Sequence, residues 1–143
     1  MTVINRSALL PYSAMQLFDL VSDVESYPKF MEGCVGASIL RREEHLVEAR
    51  LDLARAGISQ SFSTRNRMRC AQEITLELIE GPFEQFSGRW EFLALGESGC
   101  KISLRLDFTF RNSLIGAAAS RLFDRATGSL VEAVCRRASY LYG

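Results

Sequence analysis

From Ile58 to Arg69 two kinds of side chain alternate along the chain. One set, Ile58, Gln60, Phe62, Thr64, Asn66 and Met68, mixes amides and a hydroxyl with apolar groups. The other, Ser59, Ser61, Ser63, Arg65, Arg67 and Arg69, ends in three guanidiniums at a spacing of two. In a β-strand that spacing puts each set on its own face. The arginine face must meet water, because three buried, unpaired guanidiniums would be very costly. The Gln60, Thr64, Asn66 face then points toward whatever the sheet covers. Buried amides and hydroxyls need partners, and an apolar pocket with a few polar groups is what a ligand site requires. Either these residues form the polar strip of a cavity, or the strand is half-exposed and far from the core. The arginine stripe, with side chains about 6.6 Å apart, suits phosphates of ribosomal RNA or anionic lipid head groups. Ordinary surface charge, balanced by Glu48 or Glu77 on neighbouring strands, is the alternative.

Catalytic arrangements have little support. The single histidine, His45, falls between Glu44 and Leu46 at an expected hairpin and has no evident partner for general-base work. No phosphate-binding, dinucleotide or nucleophile-elbow motif is present. Cys34, Cys70, Cys100 and Cys135 are widely spread without a C-x-x-C pair, so neither zinc nor a disulfide framework is expected, and the thiols read as small or half-buried residues. Asp107 and Glu91 sit at strand positions that look solvated. No metal or cofactor is expected.

The elements that would position these residues follow from changes of period. Thr2 to Leu10 reads as a strand ended by Pro11. Ser13 and Gln16 form a capping box for a helix whose Leu17, Leu20, Val21 and Val24 share a face. Pro28 breaks that pattern, and Ser26 to Met31 restarts as a short second helix ended by Gly33. From Cys34 the period becomes two. Val35, Ala37 and Ile39 alternate with small or polar residues, and Val47 to Leu53, Ile74 to Leu78, Phe86 to Phe92 and Ile102 to Phe110 do the same. Ala56-Gly57, Gly81-Pro82 and Gly96 to Gly99 carry turn chemistry, so the strands form an antiparallel meander. Asn112 reads as a helix cap. From Ser113 to about Tyr142, Ile115, Ala118, Leu122, Ala126, Leu130, Val134, Ala138 and Leu141 make an apolar seam, with Gly116 and Gly128 as sites of bending or close approach. Such a helix must bury its seam, and the sheet is the only large apolar surface available to it. The fold class expected is therefore α+β, a curved antiparallel seven-stranded sheet around a long C-terminal helix, with two short helices after the first strand. Phe30, Phe62, Phe83, Phe86, Trp90, Phe92, Phe108 and Phe110 lie near the space between them. Trp90 stands out, because Gly88 on the same face leaves room for it to border a pocket.

The 143 residues fit one domain, 1–143, with one substantial core. The formal net charge of zero excludes a global basic field, so DNA is not an expected partner. All but two of the 17 basic residues are arginine, which is read as coding bias, with arginine-rich recognition as the alternative. The first residues lack the basic-then-apolar pattern of a signal peptide, and no stretch approaches the ~18 apolar residues of a membrane span. A soluble cytoplasmic protein is expected.

Several segments together resemble a known family. Pro11 to Phe18, then Val21 to Phe30, are similar to the opening of the START-like (helix-grip, or Bet v 1-like) polyketide cyclase/dehydrase-type proteins related to the coenzyme Q-binding protein and to RatA-type bacterial ribosome association toxins. So are Gly81-Pro82-Phe83 followed by Gly88 to Phe92, and Asp107 to Phe110 before the last helix. Met31-Glu32-Gly33 departs from the family's usual apolar-proline-glycine at the expected pocket mouth. The resemblance implies a helix-grip cavity for a hydrophobic ligand. Its leading functional implication is a non-enzymatic carrier or chaperone for ubiquinone or another isoprenoid lipid, supporting respiration and touching the inner membrane peripherally. The lining would be Phe30, Gln60, Phe62, Thr64, Asn66, Trp90, Phe108, Leu122 and Ala126. A second implication is a toxin that binds the 50S ribosomal subunit and blocks subunit joining, with Arg65, Arg67 and Arg69 as its RNA-facing surface. A third, with least support, is a cyclase or hydrolase acting inside the cavity.

Overall fold

The computed structural model describes residues 2–111 and 116–143. The chain runs β1 (Thr2–Leu10), α1 (Ala14–Ser22), a 3-10 helix (Val24–Lys29), β2 (Cys34–Glu43), β3 (Leu46–Arg55), β4 (Ile58–Arg69), β5 (Glu73–Glu80), β6 (Phe83–Ala94), β7 (Cys100–Phe110), α2 (Gly116–Gly128) and α3 (Leu130–Tyr142). The seven strands form one antiparallel sheet in the order β1-β7-β6-β5-β4-β3-β2. Strands β2 to β7 are the expected meander, and β1 closes the far edge by pairing with β7 from Thr2↔Phe108 to Leu10↔Cys100. The α+β, helix-grip architecture is as expected.

Local chemistry accounts for the short helices. Ser13 Oγ accepts from the Gln16 backbone N–H at 3.1 Å while Gln16 Oε1 accepts from the Ser13 N–H at 3.0 Å, so the capping box is complete. Pro28 lies inside the second piece, which is tightened to a 3-10 helix and stops at Phe30. Ala56 and Gly57 both take positive φ, 52° and 83°, as a two-residue hairpin turn with the sheet's own twist requires.

Two expectations are corrected. Cys34, not Val35, faces the core. A register shift between Cys34 and Gly36 sets Cys34 on the inner face and leaves Val35 64% exposed, while Ala37 and Ile39 keep the inward phase expected of them. The C-terminal helix is also divided. Ser129, between Gly128 and Leu130, leaves helical geometry at φ −100°, ψ 1°, although its N–H still reaches the Arg125 carbonyl. The expected cap at Asn112, the start at Ser113 and seam residue Ile115 lie outside the described residues.

The inner face of the sheet packs on α1, α2 and α3 in one core that contains Leu17, Leu53, Ile102, Leu104, Phe108, Phe123 and Val134. Along the expected seam Leu122, Ala126, Leu130, Val134 and Ala138 are buried, whereas Ala118 and Leu141 are exposed. The buried stripe is broader than one line and includes Ala119, Phe123 and Val131. Among the described residues no helix is long and apolar enough to cross a membrane.

Candidate functional site

The space beneath the helices is largely filled. Phe123, fully buried on α2, is surrounded by five phenyl rings with centroids at 5.5 Å (Phe62), 4.9 Å (Phe83), 6.3 Å (Phe86), 4.6 Å (Phe108) and 6.0 Å (Phe110). Most of these meet edge to face, the arrangement that aromatic quadrupoles favour. The vacancy expected over Gly88 is taken as well. A Cβ there would stand 2.5 Å from Leu106 Cδ2 and 3.0 Å from Leu76 Cδ1, so glycine lets two leucines close in rather than a ligand.

What remains is a cavity of about 60 Å³. It lies among Tyr27, Phe62, Thr64, Asn66, Trp90 and Phe123, with aliphatic neighbours. An adjoining void of about 20 Å³ shares Tyr27, Asn66 and Trp90 and reaches Ser22, whose buried hydroxyl has no protein partner. Room for ligands of drug size is roughly 300–1,000 Å³. The observed cavity suits a few waters instead. Its polar wall is self-satisfied in part, since Thr64 Oγ1 donates to Asn66 Oδ1 at 2.7 Å. Tyr27 Oη donates to the Val21 carbonyl at 2.6 Å, and its burial pushes the phenol far above the ordinary range, with Cys34 and Asp23 adding to the shift.

Phe62, Thr64, Asn66 and Trp90 therefore line the cavity as the sequence suggests. Phe108 is buried one layer behind, in the aromatic cluster. Leu122 and Ala126 are buried but turned aside, and Phe123, Thr127 and Leu130 take their place in the lining. Leu122 Cδ1 would lie 3.3 Å from a Cβ on Gly33. Gln60 lies outside, in an open groove of about 850 Å³ beside the first half of β4, where its buried Oε1 lacks a partner among the described residues. Phe30 is also outside: it packs against Tyr27 at 5.3 Å and carries the Arg137 guanidinium 5.8 Å above its ring.

Glu32, in the segment expected at the pocket mouth, does not line the cavity, although its neighbour Met31 does. Its carboxylate meets Arg55 at 2.9 Å, Arg125 at 3.2 Å and the Ser129 hydroxyl at 3.2 Å, tying the loop to β3 and to the break between α2 and α3.

The arginine stripe faces outward but is not a free cationic surface. Arg65 pairs with Glu48 at 2.9 Å, Arg67 with Glu77 at 2.7 Å, and Arg69 with Glu73 at 3.9 Å. Across that face strand registers interleave Arg65, Arg67, Arg69, Arg89 and Arg105 with equal numbers of carboxylates, namely Glu48, Glu73, Glu77, Glu91 and Asp107. His45 is 73% exposed in the β2–β3 turn, beside Glu44 and away from the cavity. Burial pushes the Cys34, Cys100 and Cys135 thiols up, away from thiolate chemistry. Among the described residues no cluster of His, Cys, Asp and Glu could hold a metal ion.

The grip of a seven-stranded sheet on C-terminal helices, with a cavity between, defines a START-like protein. The chain belongs to the family described as polyketide cyclase / dehydrase and lipid transport, whose sequence profile matches residues 10–135. It is 45% identical to the ribosome association toxin RatA of Pseudomonas aeruginosa, over 99% of each chain. It is 24% identical to the mitochondrial coenzyme Q-binding protein COQ10 homolog B of Xenopus laevis, over 97% of this chain and 59% of that one. Among solved structures, a START superfamily protein from Mycobacterium smegmatis superposes with a TM-score of 0.79 at 24% identity, covering 97% of this chain and 98% of that one, which shows the shared fold.

Proposed function

We propose that this protein acts as a RatA-type regulator that associates with the large ribosomal subunit through its outer surface and hinders subunit joining. The observation that carries this reading is the filled interior. A cavity of about 60 Å³ is several-fold below the space a quinone ring and even a short tail would need. The full-length likeness to a protein named for ribosome association supports the same reading. The quinone carrier, the leading implication of the sequence, becomes the second reading. It is supported by the COQ10 likeness and by the Thr64–Asn66 pair that faces an otherwise apolar void.

Sedimentation of the purified protein with isolated 50S and 30S particles tests the proposal. The expected result is selective pelleting with 50S and a reduced yield of 70S when subunits are recombined in its presence. Failure to pellet with 50S, together with ubiquinone recovered from the purified protein by lipid extraction and mass spectrometry, would overturn it in favour of the carrier.

A further inference from the structure

If the neutralised β4 face is a poor place for RNA, another surface must meet it. Most of the arginines that make ion pairs do so with a carboxylate within about 3 Å; Arg50, Arg55, Arg65 and Arg67 are examples. Arg137 on α3 is different. Its guanidinium is held between two rings, with Cζ 5.8 Å from the centroid of Phe30 and 5.1 Å from that of Tyr140. Both distances are within the ~6 Å range of cation–π attraction. Among the described residues no carboxylate lies within ion-pair distance of it, so its charge is steadied by π-faces and not cancelled. Tyr140 is 77% exposed, more than any other large hydrophobic residue among those described. Lys29 and Arg136 stand next in sequence to Phe30 and Arg137, and both are exposed. Arg136 meets Glu132 only at 4.0 Å, with both partners solvated.

We infer that Phe30, Arg137 and Tyr140 form a stacking platform for unpaired RNA bases, with Lys29 and Arg136 as phosphate contacts. The choice of RNA rests on the ribosome reading. The chemistry fits it directly. Single-stranded RNA is recognised by stacking splayed bases on aromatic rings and guanidinium planes, with flanking cations on the backbone. A lipid surface would call for more apolar area than Tyr140 and its half-exposed neighbour Leu141 provide.

Two binding assays on the full chain test this together. One pellets 50S particles; the other follows a short labelled single-stranded RNA by fluorescence anisotropy at low salt. Tyr140→Ala and Arg137→Gln are each expected to weaken both interactions by about tenfold, whereas Tyr140→Phe, which keeps the ring, stays within about twofold of the wild type. An Arg65→Gln, Arg67→Gln, Arg69→Gln triple variant is expected to bind both as the wild type does. RNA binding that depends on Tyr140 without any 50S pelleting would sink the ribosome reading and leave the platform standing. Wild-type 50S pelleting that both Tyr140→Ala and Arg137→Gln leave intact would overturn the platform alone. So would a loss confined to phosphatidylglycerol vesicles, which would make the patch a membrane contact.

Discussion

Replacing Phe123 by alanine probes the filled interior directly. A buried phenylalanine removes roughly 150–250 Å² from water. At about 25 cal/mol per Å² that is some 4–6 kcal/mol, an upper bound because unfolded chains already bury part of this area. Alanine recovers little of it, and five neighbouring rings lose a partner. The expected loss is about 3–5 kcal/mol, the usual range for a buried phenylalanine truncated to alanine, which is a large share of a typical domain's 5–15 kcal/mol. Urea denaturation at constant slope would measure it. Phe123 also borders the existing cavity, so the variant should acquire an apolar hole that binds benzene or indole, seen as a ligand-dependent rise in its midpoint. A loss below about 1 kcal/mol, or the absence of any ligand effect in a folded variant, would refute the view that this ring is what closes the cavity.

Asp124 has a buried carboxylate oxygen without a partner among the described residues, and burial holds its pKa above the ordinary value. The folded state therefore binds its proton more tightly than the unfolded state, and that contribution is lost as pH rises through the raised pKa. Asp124→Asn should accordingly raise the melting temperature at neutral pH and do little in acid, read by thermal scans across that range. Glu32→Ala removes the acceptor shared by Arg55, Arg125 and Ser129, and hydrogen exchange should show faster opening at the α2–α3 break with a modest cost in global stability. Ser13→Ala breaks the capping box and should cost about 1 kcal/mol in urea denaturation.

The strands were legible because most alternate with a period that only a half-buried sheet satisfies, and two of the turns between them carry a glycine at positive φ, Gly57 and Gly96. Val35 at the start of β2 was not, because the shift at Cys34 and Gly36 is a backbone event that leaves no mark on composition, whereas Ala37 and Ile39 follow the expected phase. Phe123 was passed over because a seam counted from Ala118 to Leu122 and Ala126 traces one line. The signal lay one position on, since Ala119, Phe123, Ala126 and Leu130 share helical spacing and complete the broader stripe. The cavity's polar pair was readable from Thr64 and Asn66. Its small volume was not, because it depends on how six phenyl rings interlock across β4, β6, β7 and α2, a matter of packing and not of pattern. Gln60 and Phe30 share the chemistry of lining residues, yet each lies just past the end of the covered space. The arginine stripe was located correctly by period, while its neutralisation needed the register that sets Glu48 and Glu77 beside it.

The pairing of the first strand with the last has a consequence for how the chain is made. Ile4 lies opposite Leu106, so β1 leaves the ribosome about a hundred residues before the strand it needs. At roughly 5–20 residues per second that is a wait of about 5–20 s. The β1 edge cannot close sooner, because its only partner is β7; the opposite edge strand, β2, pairs with its neighbour β3 and has no such wait. The make-up of β1 suits the delay: of its nine residues only Ile4 is buried at the end, so the core depends little on β1 while it waits. Completion of the sheet thus waits for β7, and a truncated product lacking β7 should have an unpartnered β1 and no finished domain.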